Sequence, residues 1–365
     1  MIARYRFLDL LKVVAFNLIV FHHLVFYGPM ADHVKPVLPD LMAWLEGPAR
    51  IAVQVFLVVG GFLAAKSLTA RGDVDRIQAV QMVVRRYIKL VPPFLVAMVA
   101  AVAASRLASL WMEHYSLTAM PTWFQLAAHG LLLHGVLGVE SLSAGAWYVA
   151  IDFQLYFALV MLLKLSAWTG KNRNVRQMQH ALVALGVAAS LFYFNCDPAW
   201  DNWAPYFFGS YGLGALAWWA SQAAREGKSA TMLVGGMILL GGLALEIDFR
   251  SRIAVSLAIS LALFAVYRYR PSVAGWHIPL LNYLARISYG VFLMHFPVCV
   301  LVNAVFTHWG TPSPLVQGGG MLFAWMASIL AGALFHHFIE IPLGRLIALP
   351  PTMNGKTGHR PEAAS

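Results

Sequence analysis

The chain has 365 residues; 60% are hydrophobic and only 12% are charged, about half the charged share of a soluble protein. That excludes a water-soluble enzyme of this size, a disordered chain and a collagen-like one. The two cysteines, Cys196 and Cys299, exclude a disulfide scaffold and a cysteine-rich metal site. The formal net charge of +10 does not point to nucleic acid. The basic segments lack the aromatic and glycine pattern of an RNA platform, and excess Lys and Arg is what cytoplasmic loops of membrane proteins carry.

The apolar residues fall in runs of about 20, the length that crosses a roughly 30 Å hydrocarbon core. Ten spans are expected, near 8–27, 45–66, 87–110, 145–167, 179–195, 204–222, 230–246, 251–268, 287–306 and 318–340. The first apolar run is too long for a cleaved signal peptide and no small-residue cleavage site follows it. Between the third and fourth spans, a further apolar stretch from Phe124 to Val139 is interrupted by His129, Gly130, His134, Gly135 and Gly138. It reads as a re-entrant or interfacial segment. The expected fold is therefore all-α: one polytopic domain of about ten transmembrane helices over 1–345, then a short polar tail over 346–365. No internal repeat is visible. With both termini in the cytoplasm, inner segments hold 20 Lys and Arg and outer segments five, so this orientation is the expected one.

Ionisable residues inside spans are costly and point to function. Span one carries Asp9, Lys12 and His23. Lys12 and His23 share one helix face, three turns apart, or about 16 Å at helical rise. The same stripe could simply anchor the two interfaces. Span four opens Trp147-Tyr148-Val149-Ala150-Ile151-Asp152 and runs inward, which puts Asp152 in the outer half. There its carboxylate could orient a neutral His23 as a general base, or it could pair with Arg50 or Arg106. At the inner face, span three opens with Arg85-Arg86-Tyr87-Ile88-Lys89 before Pro92-Pro93. These cations, with Lys12 and Arg286, suit the phosphates of a soluble donor; for Arg85 and Arg86 taken alone, positive-inside anchoring explains them as well. Later spans add Ser288-Tyr289, His295 and the run His336-His337-Phe338-Ile339-Glu340. A two-histidine run without a second cluster is too little for a metal site, and none is expected.

At these residues the chain resembles the acyltransferase 3 family of integral membrane acyltransferases. The family's opening Leu-Asp-Gly-Leu-Arg and the His eleven residues after its Arg correspond to Leu8-Asp9-Leu10-Leu11-Lys12 and His23. Its Arg-Arg run before Pro resembles Arg85-Arg86 to Pro92. Its Trp-Tyr/Phe pair, carboxylate and Tyr resemble Trp147, Tyr148, Asp152 and Tyr156. Its Ser-Tyr and Leu-x-His-x-Pro block resembles Ser288, Tyr289, Leu293, His295 and Pro297, and its closing Glu-x-Pro resembles Glu340-Ile341-Pro342. Five motifs in order are specific where each alone is weak. Three positions depart from the pattern: the family Arg is Lys12, the usual Glu is Asp152, and Ser-Gly-Phe in span two is Gly60-Gly61-Phe62.

The resemblance implies O-acyl transfer, most often acetyl, in the cell (inner) membrane. The donor would be cytoplasmic acyl-CoA, with no bound cofactor. The acceptor would be a hydroxyl of an extracytoplasmic polysaccharide or a lipid-linked sugar. His23 would be the base or a transient acyl carrier, with Asp152 beside it. Asp9, Lys12, Arg85 and Arg86 would hold the donor, and Trp147, Tyr156, Ser288, Tyr289, His295 and Glu340 are further candidates. A transporter or flippase of glycan intermediates is the alternative, which would want repeats or paired broken helices.

Overall fold

The computed structural model describes residues 2–69, 76–169, 175–269 and 278–347. Every regular element among them is helical. The protein is an all-α polytopic membrane protein, and among the described residues eight helices are long and apolar enough to cross a bilayer. In chain order the helices are α1 (Ile2–Phe26), α2 (Met30–Val34), α3 (Pro39–Glu46), α4 (Val53–Thr69), α5 (Arg76–Ala108), α6 (Trp123–Gly130), α7 (Ala146–Thr169), α8 (Val175–Phe192), α9 (Ala204–Arg225), α10 (Thr231–Ile247), α11 (Ser251–Tyr269), α12 (Pro279–Trp309), α13 (Pro314–Phe335) and α14 (Ile341–Ile347). Each of the ten expected spans falls on one of them. The tail expected from 346 begins inside α14, and beyond 347 it lies outside the described residues.

Two of the ten do not meet the criterion of length and apolarity. α10 has 17 residues, and α9 is rich in Gly, Ser, Tyr and Trp. α9 is nevertheless the centre of one half of the bundle. Every residue from Tyr206 to Ser221 is buried, sheathed by α4, α7, α8, α10 and α11. A helix covered by protein on all sides need not be apolar enough for lipid. Its glycines allow close backbone approach. A Cβ on Gly214 would run into the Val58 carbonyl, and one on Gly61 of α4 would run into the Tyr211 carbonyl. In a bilayer, where apolar burial does not favour helix over lipid, such small-residue contacts drive packing. The other half is built on α12, which packs on α1, α5 and α13. The lipid-facing side carries large apolar residues such as Val99, Leu239 and Leu330, as a membrane surface requires.

The segment 111–145 does not stay at the outer surface. Tyr87 Oη of α5 donates to the Gly130 carbonyl at 2.6 Å, and Gln154 Nε2 of α7 donates to the Leu132 carbonyl at 2.9 Å. The reversal after α6 puts the fully buried Leu132 at φ 57°, a left-handed conformation that is strained for a bulky residue. The chain then leads into α7 from within the bundle. A Cβ on Gly145 would sit 3.0 Å from the Phe292 ring, and Phe292 lies near the middle of α12. α7 therefore starts part-way down the bundle, and everything on it lies deeper than a surface start implies.

Candidate functional site

His23 sits in the last turn of α1 and His295 in the middle of α12. The His23 Nδ1 lies 2.6 Å from His295 Nε2. The rings are within 11° of parallel, with centroids 4.9 Å apart. The nitrogen contact plus one ring radius on each side, roughly 1.1 Å apiece, accounts for that whole separation. The two imidazoles thus meet edge to edge, not face on face. His295 Nδ1 points at the Phe292 carbonyl, 2.7 Å away. The end of α1 is fixed on α12 by Cys299 Sγ, 3.8 Å from the His23 carbonyl. Tyr27 covers the pair from above, its ring 5.2 Å from His23 and 5.5 Å from Phe296.

The neighbouring His22 points elsewhere. Its Nδ1 is 3.0 Å from the Leu45 carbonyl at the end of α3, a contact that ties the outer loop down.

Asp152 is not beside His23. Arg86 on α5 donates to its Oδ2, so neither Arg50 nor Arg106 is its partner. The physical reason is depth. α7 starts inside the bundle, and Asp152 lies six residues further in than Ala146, about 9 Å at helical rise. His295 lies one turn outward of Phe292. The carboxylate expected to orient His23 is therefore roughly 10 Å or more too deep. Its surroundings are Gly60 and Tyr211, both within about van der Waals reach of each other, with Tyr156 under the Arg86 guanidinium at 5.4 Å. The Gly60 that stands where the family has Ser is what leaves space there: a Cβ would lie 3.2 Å from Asp152 Oδ1.

The inner tier holds the remaining candidates. Lys12 faces Asp9 and Lys89 electrostatically, and Lys89 also faces Glu340. Glu340 Oε2 is 2.7 Å from His336 Nδ1 in a five-residue π-helical turn, a backbone irregularity frequent at functional sites. Its Oε1 is buried and has no hydrogen-bond partner among the described residues. Tyr289 Oη donates to the Leu90 carbonyl at 3.2 Å, joining α12 to α5. Ser288 Oγ is occupied by the Ala285 carbonyl of its own helix. Arg85 is exposed, about 100° round the helix from Arg86. Lys12 is thus linked to Asp9 and Lys89, and Lys89 to Glu340, while Arg85 is exposed and the Ser288 hydroxyl is committed within its own helix.

At the His23 end of the bundle a cavity of about 500 Å³ opens between the loops and the start of α7. Sequence reading did not find it, because its walls come from five separate segments. It is lined by Tyr27, Tyr115, Ser116, Thr118, Glu140, Ser141, Ser143, Trp147, Gln154, Asp201, Asn202, Phe207 and Phe296, among others, with no Lys or Arg. Trp147 and Phe207 stand ring to ring at 5.5 Å. His134, in its wall, stacks on His129 at 4.1 Å, and neither of its ring nitrogens has a hydrogen-bond partner among the described residues. Burial, then the neighbouring His129, pushes the His134 imidazole down to about 4. His129 is lowered by burial as well, opposed by its hydrogen bond to the Gln125 carbonyl.

The family model described as an acyltransferase domain, acyltransferase 3, matches residues 5–335. The chain belongs to the acyltransferase 3 family. This acyltransferase is also similar to the regulator of hypoxia-inducible factor 1 of Caenorhabditis elegans, at 22% identity over 417 aligned residues, covering 95% of this chain and 81% of that protein. No solved structure matches it. The matched region spans α1 through α13, so it includes the His23–His295 pair, the Arg86–Asp152 pair and the walls of the outer cavity.

Proposed function

We propose that this membrane acyltransferase moves an acyl group, most simply acetyl, from cytoplasmic acyl-CoA to a hydroxyl of an extracytoplasmic or lipid-linked glycan. The observation that carries the acceptor class is the outer cavity. Trp147, Phe207 and Phe296 offer flat apolar faces, and Gln154, Asn202, Asp201, Glu140 and several hydroxyls offer hydrogen-bond partners. Convergent polar groups on an aromatic wall suit a polyhydroxylated ring. Two carboxylates and no Lys or Arg disfavour a polyanion, so the acceptor is a neutral sugar. Tyr27 and Phe296 separate this cavity from His23 by a single ring layer.

The donor reading rests on the other end of the same stripe. Acyl-CoA carries phosphates that do not cross hydrocarbon, and Lys12 and Lys89 supply cations at the inner tier. The 20-to-5 distribution of Lys and Arg supports cytoplasmic termini, hence an inner position for Lys12 and an outer one for His23, in the inner membrane of the cell. The roughly 16 Å between them at helical rise is comparable to an extended pantetheine arm. Mass spectrometry of envelope glycans from cells with and without the gene tests this: loss of a mass equal to one acyl group per acceptor sugar is expected. Unchanged glycans would contradict the acceptor assignment.

A further inference from the structure

We propose that His295 is a positioning residue that fixes the tautomer of His23, so that His23 presents a bare Nε2 to the acceptor hydroxyl. The inference rests on the acyltransferase reading for the reaction it serves, but the tautomer itself follows from geometry alone.

Three atoms decide it. The Phe292 carbonyl oxygen can only accept, so His295 Nδ1, 2.7 Å away, carries a hydrogen. Among the described residues no carboxylate lies within ion-pair distance of either ring, and both residues are buried. An unpaired imidazolium is costly there, so His295 is neutral and its Nε2 is bare. That nitrogen lies 2.6 Å from His23 Nδ1. Two bare nitrogens would repel, so His23 Nδ1 carries the hydrogen between them. A neutral His23 then has its lone pair on Nε2, which takes no partner among the described residues.

A carboxylate commonly holds a catalytic histidine in this way. Here the Asp152 carboxylate is committed to Arg86, and a second imidazole anchored on a helix carbonyl takes that place. In the transfer step, the hydroxyl proton passes to His23 Nε2 as the hydroxyl oxygen bonds to the thioester carbon. The C–S bond breaks, and the CoA thiolate leaves and takes the proton from Nε2. The products are an O-acyl sugar and free CoA thiol, and His23 is neutral again. Throughout, the Nδ1 hydrogen stays on His23 and is donated to His295 Nε2, whose lone pair stabilises the transient imidazolium.

The test uses the full-length protein in nanodiscs with ¹⁵N-labelled histidine, the His23 signals being assigned by difference against His23→Gln. The expected spectrum has a protonated Nδ1 and an unprotonated Nε2 at His23. His295→Leu removes the acceptor and is expected to lose this tautomer preference and about 100-fold in kcat, with KM for acyl-CoA little changed. His295→Gln, whose Oε1 can accept from His23 Nδ1–H, is expected to restore the tautomer and most of the lost kcat. An unprotonated Nδ1 at His23 in the wild-type protein overturns the proposal. So does a His295→Leu protein that keeps the wild-type tautomer. If that variant does not fold, the wild-type and His295→Gln spectra still decide. The expected tautomer in a protein that transfers no acyl group to any sugar would count against the proposed substrates and not against the tautomer lock.

Discussion

Arg86 of α5 donates a hydrogen bond to the carboxylate of Asp152 on α7, and that one pairing reassigns both residues. Arg86 spends its charge on Asp152, and Asp152 lies deeper than the His23–His295 pair. The Asp152 side chain is 8% exposed and that of Arg86 33%, so the pair is largely desolvated. Removing one partner of such a pair leaves an uncompensated buried charge, at about 3 kcal/mol or more.

Asp152→Ala and Arg86→Ala are therefore each expected to lower thermal stability in detergent markedly. The double change Asp152→Leu with Arg86→Met is expected to recover much of the loss, since no orphan charge remains. Additive losses measured by thermal unfolding would show that the pair contributes nothing as a pair.

His23 behaves in the opposite way. His23→Ala removes the bond to His295 and is expected to cost about 1 kcal/mol of stability, with protein level near wild type, and to reduce acyl transfer by about 100-fold or more. His22→Ala removes the bond to the Leu45 carbonyl and is expected to cost about 1 kcal/mol of stability with a milder effect on rate. Equal activity of the two variants would take His23 out of the mechanism.

Lys12 is expected to act on the donor. Lys12→Arg keeps the charge beside Asp9 and Lys89 and is expected to retain transfer. Lys12→Ala is expected to raise KM for acyl-CoA by about tenfold, the loss of one charge-assisted contact. A donor titration in which Lys12→Ala matches wild type would contradict the inner donor site.

The re-entrant segment carries a pH signature. His134 titrates at about 4 in the folded protein against 6.5 when free. Between those values the unfolded segment binds a proton that the folded one does not. Its stability is complete above pH 6.5 and is lost as pH falls towards 4, by up to about 3 kcal/mol. Protection factors at Leu132 and Leu142, taken against the intrinsic exchange rate at each pH, are expected to fall over that window in wild type and to do so much less in His134→Phe. Protection factors independent of pH would contradict the assignment.

Much of this architecture is readable from periodicity and charge. The 20-residue apolar runs place the long helices, and even the polar α9 is placed by its own run. The stripe from Asp9 through Lys12 to His23 follows from 100° per residue. Depth on α7 does not follow, because the apolar stretch from Phe124 to Val139 dips into the bundle and carries the start of α7 with it. Nothing local in the sequence measures how far a re-entrant segment descends. His23 and His295 are 272 positions apart, and only the packing of α1 on α12 makes them neighbours. The outer cavity is hidden for the same reason: Tyr27, Ser116, Trp147 and Asn202 come from four segments.

The most direct measurement supplies donor and acceptor on opposite sides of a membrane. The protein is reconstituted in vesicles with its Lys12 end facing outward, neutral oligosaccharide is trapped in the lumen, and labelled acetyl-CoA is added outside. Labelled ester on the lumenal sugar is expected, dependent on His23 and lost in His23→Ala. Label that appears only when sugar and acetyl-CoA share the Lys12 side would contradict transfer across the membrane through His23.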